Sequence, residues 1–361
     1  MSEDSVSRPS SRGGHVLTYD STNQKTILFG GFEGSWTSRS YFDDTWAYDY
    51  ANNSWINLNP TSKPSPRYNP AMTYDSINQK LVLFGGYGSS GYLSDTWIYD
   101  YSNNQWTQVF PITSPGVRHS HAMVYDSVNQ KVVLFGGHNR QTILSDTWVY
   151  DFSSNNWTEM FPQTSPNVRY GHTMAYNPSN QKVILFGGKS DASYGISNND
   201  LWMYDYSSNI WTEFSTITKP DVRYWYATAY DQTNQKMILF GGLTYSSNGT
   251  IIYDDSWTYD YVVNEWIQNS PVRHPSARYL HSMVYDSVNE KIILFGGYNG
   301  TAPLGDTWVY DVSDNIWNSM VSLAVTTGFI TLEFLLLFLG SLGVVRWYKH
   351  NIRSRKKGKL Q

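Results

Sequence analysis

Two short stretches near the end of the chain decide the fold. The first is Lys291-Ile292-Ile293-Leu294-Phe295-Gly296-Gly297. The second is Asp306-Thr307-Trp308-Val309-Tyr310-Asp311, followed by Trp317 seven residues after the tyrosine. Apolar residues run into a glycine pair, and a polar interval leads to an aromatic-rich segment. Runs this short, bounded by Gly and Asp/Asn-rich turns, read as β-strands.

The same two stretches recur along the chain. Glycine pairs fall at Gly30-Gly31, Gly85-Gly86, Gly136-Gly137, Gly187-Gly188, Gly241-Gly242 and Gly296-Gly297, at intervals of 55, 51, 51, 54 and 55 residues. An Asp-x-Trp follows each pair, at Asp44, Asp95, Asp146, Asp200, Asp255 and Asp306. The second tryptophan of each repeat is Trp55, Trp106, Trp157, Trp211, Trp266 or Trp317. A fixed period of this length is the signature of a repeat architecture.

Each repeat reads as four strands. In the last, Ser282 to Tyr285 is strand A, Lys291 to Phe295 strand B, Thr307 to Tyr310 strand C and Ile316 to Met320 strand D. Asn289 is expected to supply the left-handed backbone of the A–B turn. One such unit cannot cover both its faces, whereas stacking units around an axis does. The expected fold is all-β: a six-bladed β-propeller of four-stranded antiparallel blades, plus one C-terminal transmembrane α-helix. The blades span about 12–60, 67–111, 118–162, 169–215, 223–269 and 278–320, after a disordered 1–11. The tryptophans are expected to form inter-blade core, where each buries ~150–250 Å², worth roughly 4–6 kcal/mol as an upper bound. Carbohydrate stacking is the alternative role. The chain runs from strand A to strand D, so closure is expected to rest on side-chain packing alone, or on a portion upstream.

Composition fits this reading. Charged residues are 16% and aromatics 16%, with 15 Trp and 29 Tyr, a balance opposite to disorder. Residues 1–320 carry 19 basic and 29 acidic side chains, a net of −10, with no basic stripe for nucleic acid. With no cysteine, disulfides, thiolate catalysis and Cys-ligated metals are excluded.

Glycine pair, tyrosine and tryptophan at these spacings resemble the kelch motif, over residues 12–320. The resemblance implies a propeller used chiefly as a binding platform. Within the wider kelch-like group, galactose oxidase has a copper site that needs a Tyr–Cys crosslink, which this chain cannot form.

Repeated polar residues invite functional readings. Arg12, Arg67, Arg118, Arg169, Arg223 and Arg278 open the repeats. They could ring an anion, but strict repetition favours identical inter-blade hydrogen bonds. Three residues on stand His15, Pro70, His121, His172, Tyr226 and His281. Symmetry would spread the four histidines around a ring, too far apart for one metal ion, and no cofactor is expected. The Asp-x-Trp and Tyr-Asp acids read as turn-forming and capping carboxylates. No acid breaks the repeat as a glycosidase pair would.

Departures from the repeat are the better guide to recognition. The B–C connections, Phe32 to Asp43, Tyr87 to Ser94, His138 to Ser145, Lys189 to Asn199, Leu243 to Asp254 and Tyr298 to Gly305, vary in length and content. Candidate ligand-binding residues on them are Trp36, Tyr92, Arg140, Tyr194 and Tyr245. Trp225 is a further candidate, since the other repeats place Gly14, Asn69, Ser120, Gly171 or Leu280 there. It would stack on a ligand or plug the channel.

Residues 321–345 are apolar, with Ser, Thr and the single acid Glu333. Twenty-five helical residues span ~37 Å, enough for a ~30 Å hydrocarbon core with tilt. Trp347, Tyr348 and the basic tail 346–361 complete a membrane-end pattern. Glu333, mid-span, is expected to be protonated, paired or at a helix contact. The basic tail predicts a cytoplasmic C-terminus and an extracytoplasmic propeller, which the sequons at Asn52, Asn156, Asn248 and Asn299 would suit. Residues 1–14 lack the apolar core of a signal peptide, so a tail-anchored chain with a cytoplasmic propeller is the alternative.

The expected function is a single-pass, membrane-anchored, non-enzymatic module binding a protein or glycan through its loop face. The alternative is a carbohydrate-active or oxidising enzyme on a propeller scaffold.

Overall fold

A computed structural model of the chain describes residues 7–35, 37–191, 197–247 and 249–320. Expectations for Trp36, Tyr194, Asn248, Glu333, segment 321–345 and the basic tail lie outside the described residues. Among the described residues, no helix is long and apolar enough to cross a membrane.

The described strands form a six-bladed, all-β propeller. Each blade is a four-stranded antiparallel sheet in the order A-B-C-D, to which blade two adds the two-residue strand Arg67–Tyr68 against the end of its strand B. Blade one is Val16–Asp20, Lys25–Phe29, Thr45–Asp49 and Ser54–Asn57; blade six is Ser282–Asp286, Lys291–Phe295, Thr307–Asp311 and Ile316–Ser319. The A strands contact one another in sequence around the axis, and strand A of blade one meets that of blade six. Strand B is the driest, with Ile292, Ile293, Leu294 and Phe295 all at 0% exposure. It has a strand on either side in its own sheet and a neighbouring blade against each face, so it reads as a continuous apolar run rather than an alternating one.

The A–B turn departs from expectation. Asn289 does not supply the left-handed residue: Glu290 does (φ 55°), as do Gln24, Gln79, Gln130, Gln181 and Gln235 in the other blades. Asn289 instead donates from Nδ2 to Asp286 Oδ2 (2.7 Å), while its amide donates to Asp286 Oδ1. The aspartate ending strand A thus gathers the turn.

The B–C connections are largely built of strand. In blades two to four, strands B and C run on through the glycine pair, as in Lys131–His138 and Ile143–Asp151, with a register shift between Phe135 and Gly137. In blades one and five, separate hairpins form, Phe32–Ser35 with Ser38–Tyr41 and Leu243–Ser246 with Gly249–Ile252.

The glycine pair is where adjacent blades join. The second glycine's amide donates to the next blade's arginine carbonyl, as Gly31 to Arg67 (2.9 Å) and Gly137 to Arg169 (2.9 Å). A Cβ on Gly30 would stand 2.7 Å from that carbonyl oxygen, so only glycine fits.

Closure corrects the sequence expectation. Gly297 donates to Arg12 O (2.9 Å), and Arg12 N donates to Leu304 O (2.9 Å). These are the bonds that join the other blades, so the ring closes through backbone as well as packing. Leu17, Trp46 and Trp55 of blade one also share a core cluster with Ile293, Phe295 and Val309 of blade six. The repeat begins earlier than Arg12: every arginine follows a Pro-x-x, and Pro9 is buried like Pro64 and Pro166. Residues 9–11 therefore run along blade six, where Ser11 packs on Gly305.

The arginine side chains do not cross between blades. Arg67 Nη1 and Nη2 meet both oxygens of Asp95 in their own blade (2.6 and 2.8 Å), and Nη1 also reaches Gly85 O (3.0 Å). All six arginines repeat this geometry, with the guanidinium 0–2% exposed. At each arginine, the backbone holds one blade and the side chain the next. The Asp-x-Trp aspartates are therefore not turn caps. Burial pushes the Asp95 carboxyl up, but hydrogen bonds and charge from Arg67 outweigh it and hold it below the usual range. The Tyr-Asp acids do cap turns, as Asp49 accepts from the amide of Ala51.

The second tryptophans lie inside the blade seams. Trp106 Nε1 donates to Thr45 Oγ1 of the preceding blade (3.0 Å), and Trp157 to Thr96 (3.1 Å). The first tryptophans donate within their own blade, as Trp97 to Asp95 (2.7 Å).

Candidate functional site

The B–C hairpins and D–A loops share one face of the propeller. Directly beneath it, six residues close a backbone ring around the axis: Gly14, Asn69, Ser120, Gly171, Trp225 and Leu280. Each donates its amide to the carbonyl of the one before, at 2.7–3.0 Å, and Gly14 completes the circle by donating to Leu280. All six have left-handed backbone, φ 48–65°. Gly and Asn suit that conformation, whereas Ser, Trp and Leu hold it only because the ring over-determines it. Aligned donors in a closed ring also polarise one another.

Trp225 plugs this ring. From blade five its indole N–H reaches Ser120 Oγ of blade three (3.3 Å), crossing over blade four. A Cβ on Gly171 would fall 2.8 Å from Trp225 Cδ1, so the glycine makes room for the indole. Below lies an axial cavity of about 190 Å³, lined by strand A of every blade.

His15, His121, His172 and His281 stand in the wall of that cavity. Each ring packs edge-on against a phenylalanine of the preceding blade, as His15 on Phe295 (5.3 Å) and His172 on Phe135 (5.6 Å). Burial, reinforced by the nearby arginine, pushes His15 and His172 down to about 3 and His121 and His281 well down. The imidazoles are neutral. Among the described residues, no group of three His, Cys, Asp or Glu could hold a metal ion.

Above the plug, aromatic rings form a closed belt. Phe32 meets Tyr68 (5.4 Å), Tyr68 meets Tyr87 (5.6 Å), and Tyr87 meets Tyr92 (4.9 Å). Tyr92 meets His119 (5.2 Å), which meets His138 (5.5 Å), and His138 meets Tyr170 (5.7 Å). Tyr170 meets Tyr224 (5.9 Å), and Tyr224 meets Trp225 (4.7 Å). Trp225 stacks on Tyr279 (6.1 Å, 15°), Tyr279 meets Tyr298 (5.7 Å), and Tyr298 returns to Phe32 (6.3 Å). Apart from Tyr92 and Trp225, these residues come from two positions: the one after each arginine and the one after each glycine pair. Short bridges pair the two positions, as His119 with His138 and Tyr279 with Tyr298.

Cations sit on the belt. Arg39 stands 5.1 Å over both Phe32 and Tyr68. Lys189 lies 5.2 Å over Tyr224 and 4.9 Å over Tyr245, and burial lowers its pKa despite Asp191. Of the residues singled out from sequence, Tyr92 and Trp225 fall within the belt, and Tyr245 beside it at Tyr224 (6.2 Å). Tyr92 Oη lies 3.3 Å from His138 Nδ1. Burial and Tyr87 raise the Tyr92 pKa, and the charge of exposed Arg140 opposes them. Sequence reading missed Tyr68, His119, Tyr170, Tyr279 and Tyr298, although aromatic residues at those two repeat positions were the available signal.

This architecture defines the chain as a kelch-type propeller with an aromatic loop face. The chain belongs to the KLHDC2/KLHL20/DRC7 Kelch-repeats domain family, which it matches over residues 3–166 and 128–326. It is similar to Mei4-dependent protein 6 of Schizosaccharomyces pombe, 25% identical over 346 residues, covering 84% of this chain and 48% of that protein. It is also similar to human Kelch domain-containing protein 10, 26% identical over 297 residues, covering 76% of this chain and 63% of the relative. The Xenopus tropicalis form is 23% identical over 334 residues, covering 87% and 66%. The chain thus spans about half the length of the first of these relatives and under two thirds of the human one.

Proposed function

We propose that the chain is a non-enzymatic protein-binding module whose contact surface is the rim of the belt face, half-buried Tyr87, Tyr92, Tyr170, Trp225 and Tyr245 with exposed Arg140, resting on the buried rings of Phe32, Tyr68, Tyr224, Tyr279 and Tyr298. One observation carries this reading: solvent-reachable Tyr, Trp and Arg, the residue types enriched in binding hot spots, gather around one channel mouth at Tyr87, Tyr92, Arg140, Tyr170, Trp225 and Tyr245. The belt's rings are pinned by one another, so little side-chain entropy is lost on binding. Kelch-domain relatives support a protein-interaction propeller. The plugged channel directs a partner across the face rather than into the axis. We further propose that residues 321–345 hold the chain in a membrane, with the propeller extracytoplasmic and Glu333 at a helix contact. The support is the length and composition of that segment and the basic tail behind it.

Alanine variants of Tyr92, Arg140 and Tyr245 test the belt, with Val262 on the opposite face as control. Loss of a co-purifying protein partner from the belt variants alone supports the proposal. Equal recovery from all variants, or saturable binding on a glycan array in place of a protein partner, overturns it.

A further inference from the structure

Five large apolar side chains stand almost fully in solvent: Phe110 (77%), Ile112 (99%), Phe161 (77%), Ile217 (103%) and Val272 (101%). All belong to the D–A loops, which join blades two to six on the belt face. The next most exposed large apolar residue, Val262, is 72% exposed and lies on a C–D turn at the other end of the propeller. The tips come from successive loops around a ring, so they form an arc rather than one patch. A single globular partner covers a contiguous area, whereas an arc of separate tips on one face fits a flat apolar boundary.

Charge separates the two ends of the propeller. Once the six buried Arg–Asp pairs are set aside, the belt-face loops carry six basic and five acidic side chains. Arg140, Lys219 and Arg273 are exposed there. The A–B and C–D turns carry six lysines against thirteen acids. An anionic surface therefore repels the turn end and tolerates the loop end.

The course of the chain points the same way. Met320 donates to Thr307 O (2.9 Å) at the end of strand D, so the described chain leaves blade six on the belt face. In sequence, the apolar residues 321–345 begin at the next position.

We propose that the D–A loop tips dock on a phospholipid bilayer, inserting Phe110, Ile112, Phe161, Ile217 and Val272 at the headgroup boundary. The inference rests on the reading of residues 321–345 as an anchor. It limits partners of the belt to those presented at the membrane surface. Exposed apolar tips on a face close to charge balance can enter that interface, which the acidic turn end cannot.

The absence of cysteine allows a direct test. The full chain, carrying one introduced cysteine with an environment-sensitive fluorophore, is reconstituted into phosphatidylcholine/phosphatidylserine vesicles containing a lipid-attached quencher. Labels at I112C, I217C and V272C are expected to shift to the blue and lose emission, while V262C and I77C on the turn end do not. If the protein floats with the vesicles but the loop labels are unquenched, or quenched no more than V262C, the docking proposal is wrong and the anchor stands. If the protein does not float, both are wrong.

Discussion

The indole N–H of Trp266 is buried in the same seam as Leu201, and no acceptor reaches it. In five blades the residue before the first tryptophan is Thr or Ser, and its hydroxyl accepts from the next blade's second tryptophan. Blade four has Leu201 there instead. A buried donor left unpaired costs about 1–3 kcal/mol. Trp157→Phe breaks the bond to Thr96, whereas Trp266→Phe removes an unsatisfied donor. Trp157→Phe is expected to be the more destabilising by about 1 kcal/mol in denaturant melts, and equal losses would contradict the assignment.

The Arg–Asp pairs make a second prediction. Asp95→Asn leaves the Arg67 guanidinium buried beside a neutral group. Losing one member of a buried pair costs about 3–5 kcal/mol. Adding Arg67→Met to that variant should restore part of the stability. Chemical denaturation of the single and double variants checks both outcomes.

The axial histidines set an acid limit. Their folded pKa values are depressed, so the unfolded chain takes up protons first as pH falls. Stability is complete above about pH 6.5 and lost progressively toward pH 3. Each histidine contributes up to about 1.4 kcal/mol per pH unit in that window. Melting temperatures measured between pH 7 and 5 should fall steeply. His172→Phe should flatten the slope, since Pro70 occupies the equivalent position in blade two without a titrating group.

Ring closure predicts uniform seams. The Gly297 amide, bonded to Arg12 O, should exchange with deuterium as slowly as the Gly86 amide, bonded to Arg118 O. Exchange of Gly297 orders of magnitude faster would mean that the blade one–six seam opens independently.

The fold was legible because its signals repeat. Gly-Gly and Trp spacings are fixed by the blade seam, where a Cβ would collide and an indole fills the gap. The targets of the arginines were not legible, because Asp95 lies 28 residues beyond Arg67 and nothing in that spacing tells own blade from next. Ring closure is hidden in the sequence because the conspicuous repeat signals begin at Arg12, whereas the residues that join blade one to blade six include Pro9 and Ser11, in a short polar stretch that looks like a tail. The belt is hidden because its two positions vary among Tyr, His, Phe, Lys, Leu and Gly, so shared chemistry lies beneath changing identity. Trp225 stood out from its neighbours in sequence, yet the backbone ring it completes is visible only in three dimensions.

The central claim is that the belt face binds the partner. A photoreactive amino acid placed at Tyr92, Arg140 or Tyr245 in the full chain, and separately at Val128 and Val262 on the turn face, tests it most directly. The account predicts crosslinks to one protein from the three belt positions and none from the turn positions. Crosslinks of equal yield from Val128 and Val262 would contradict it.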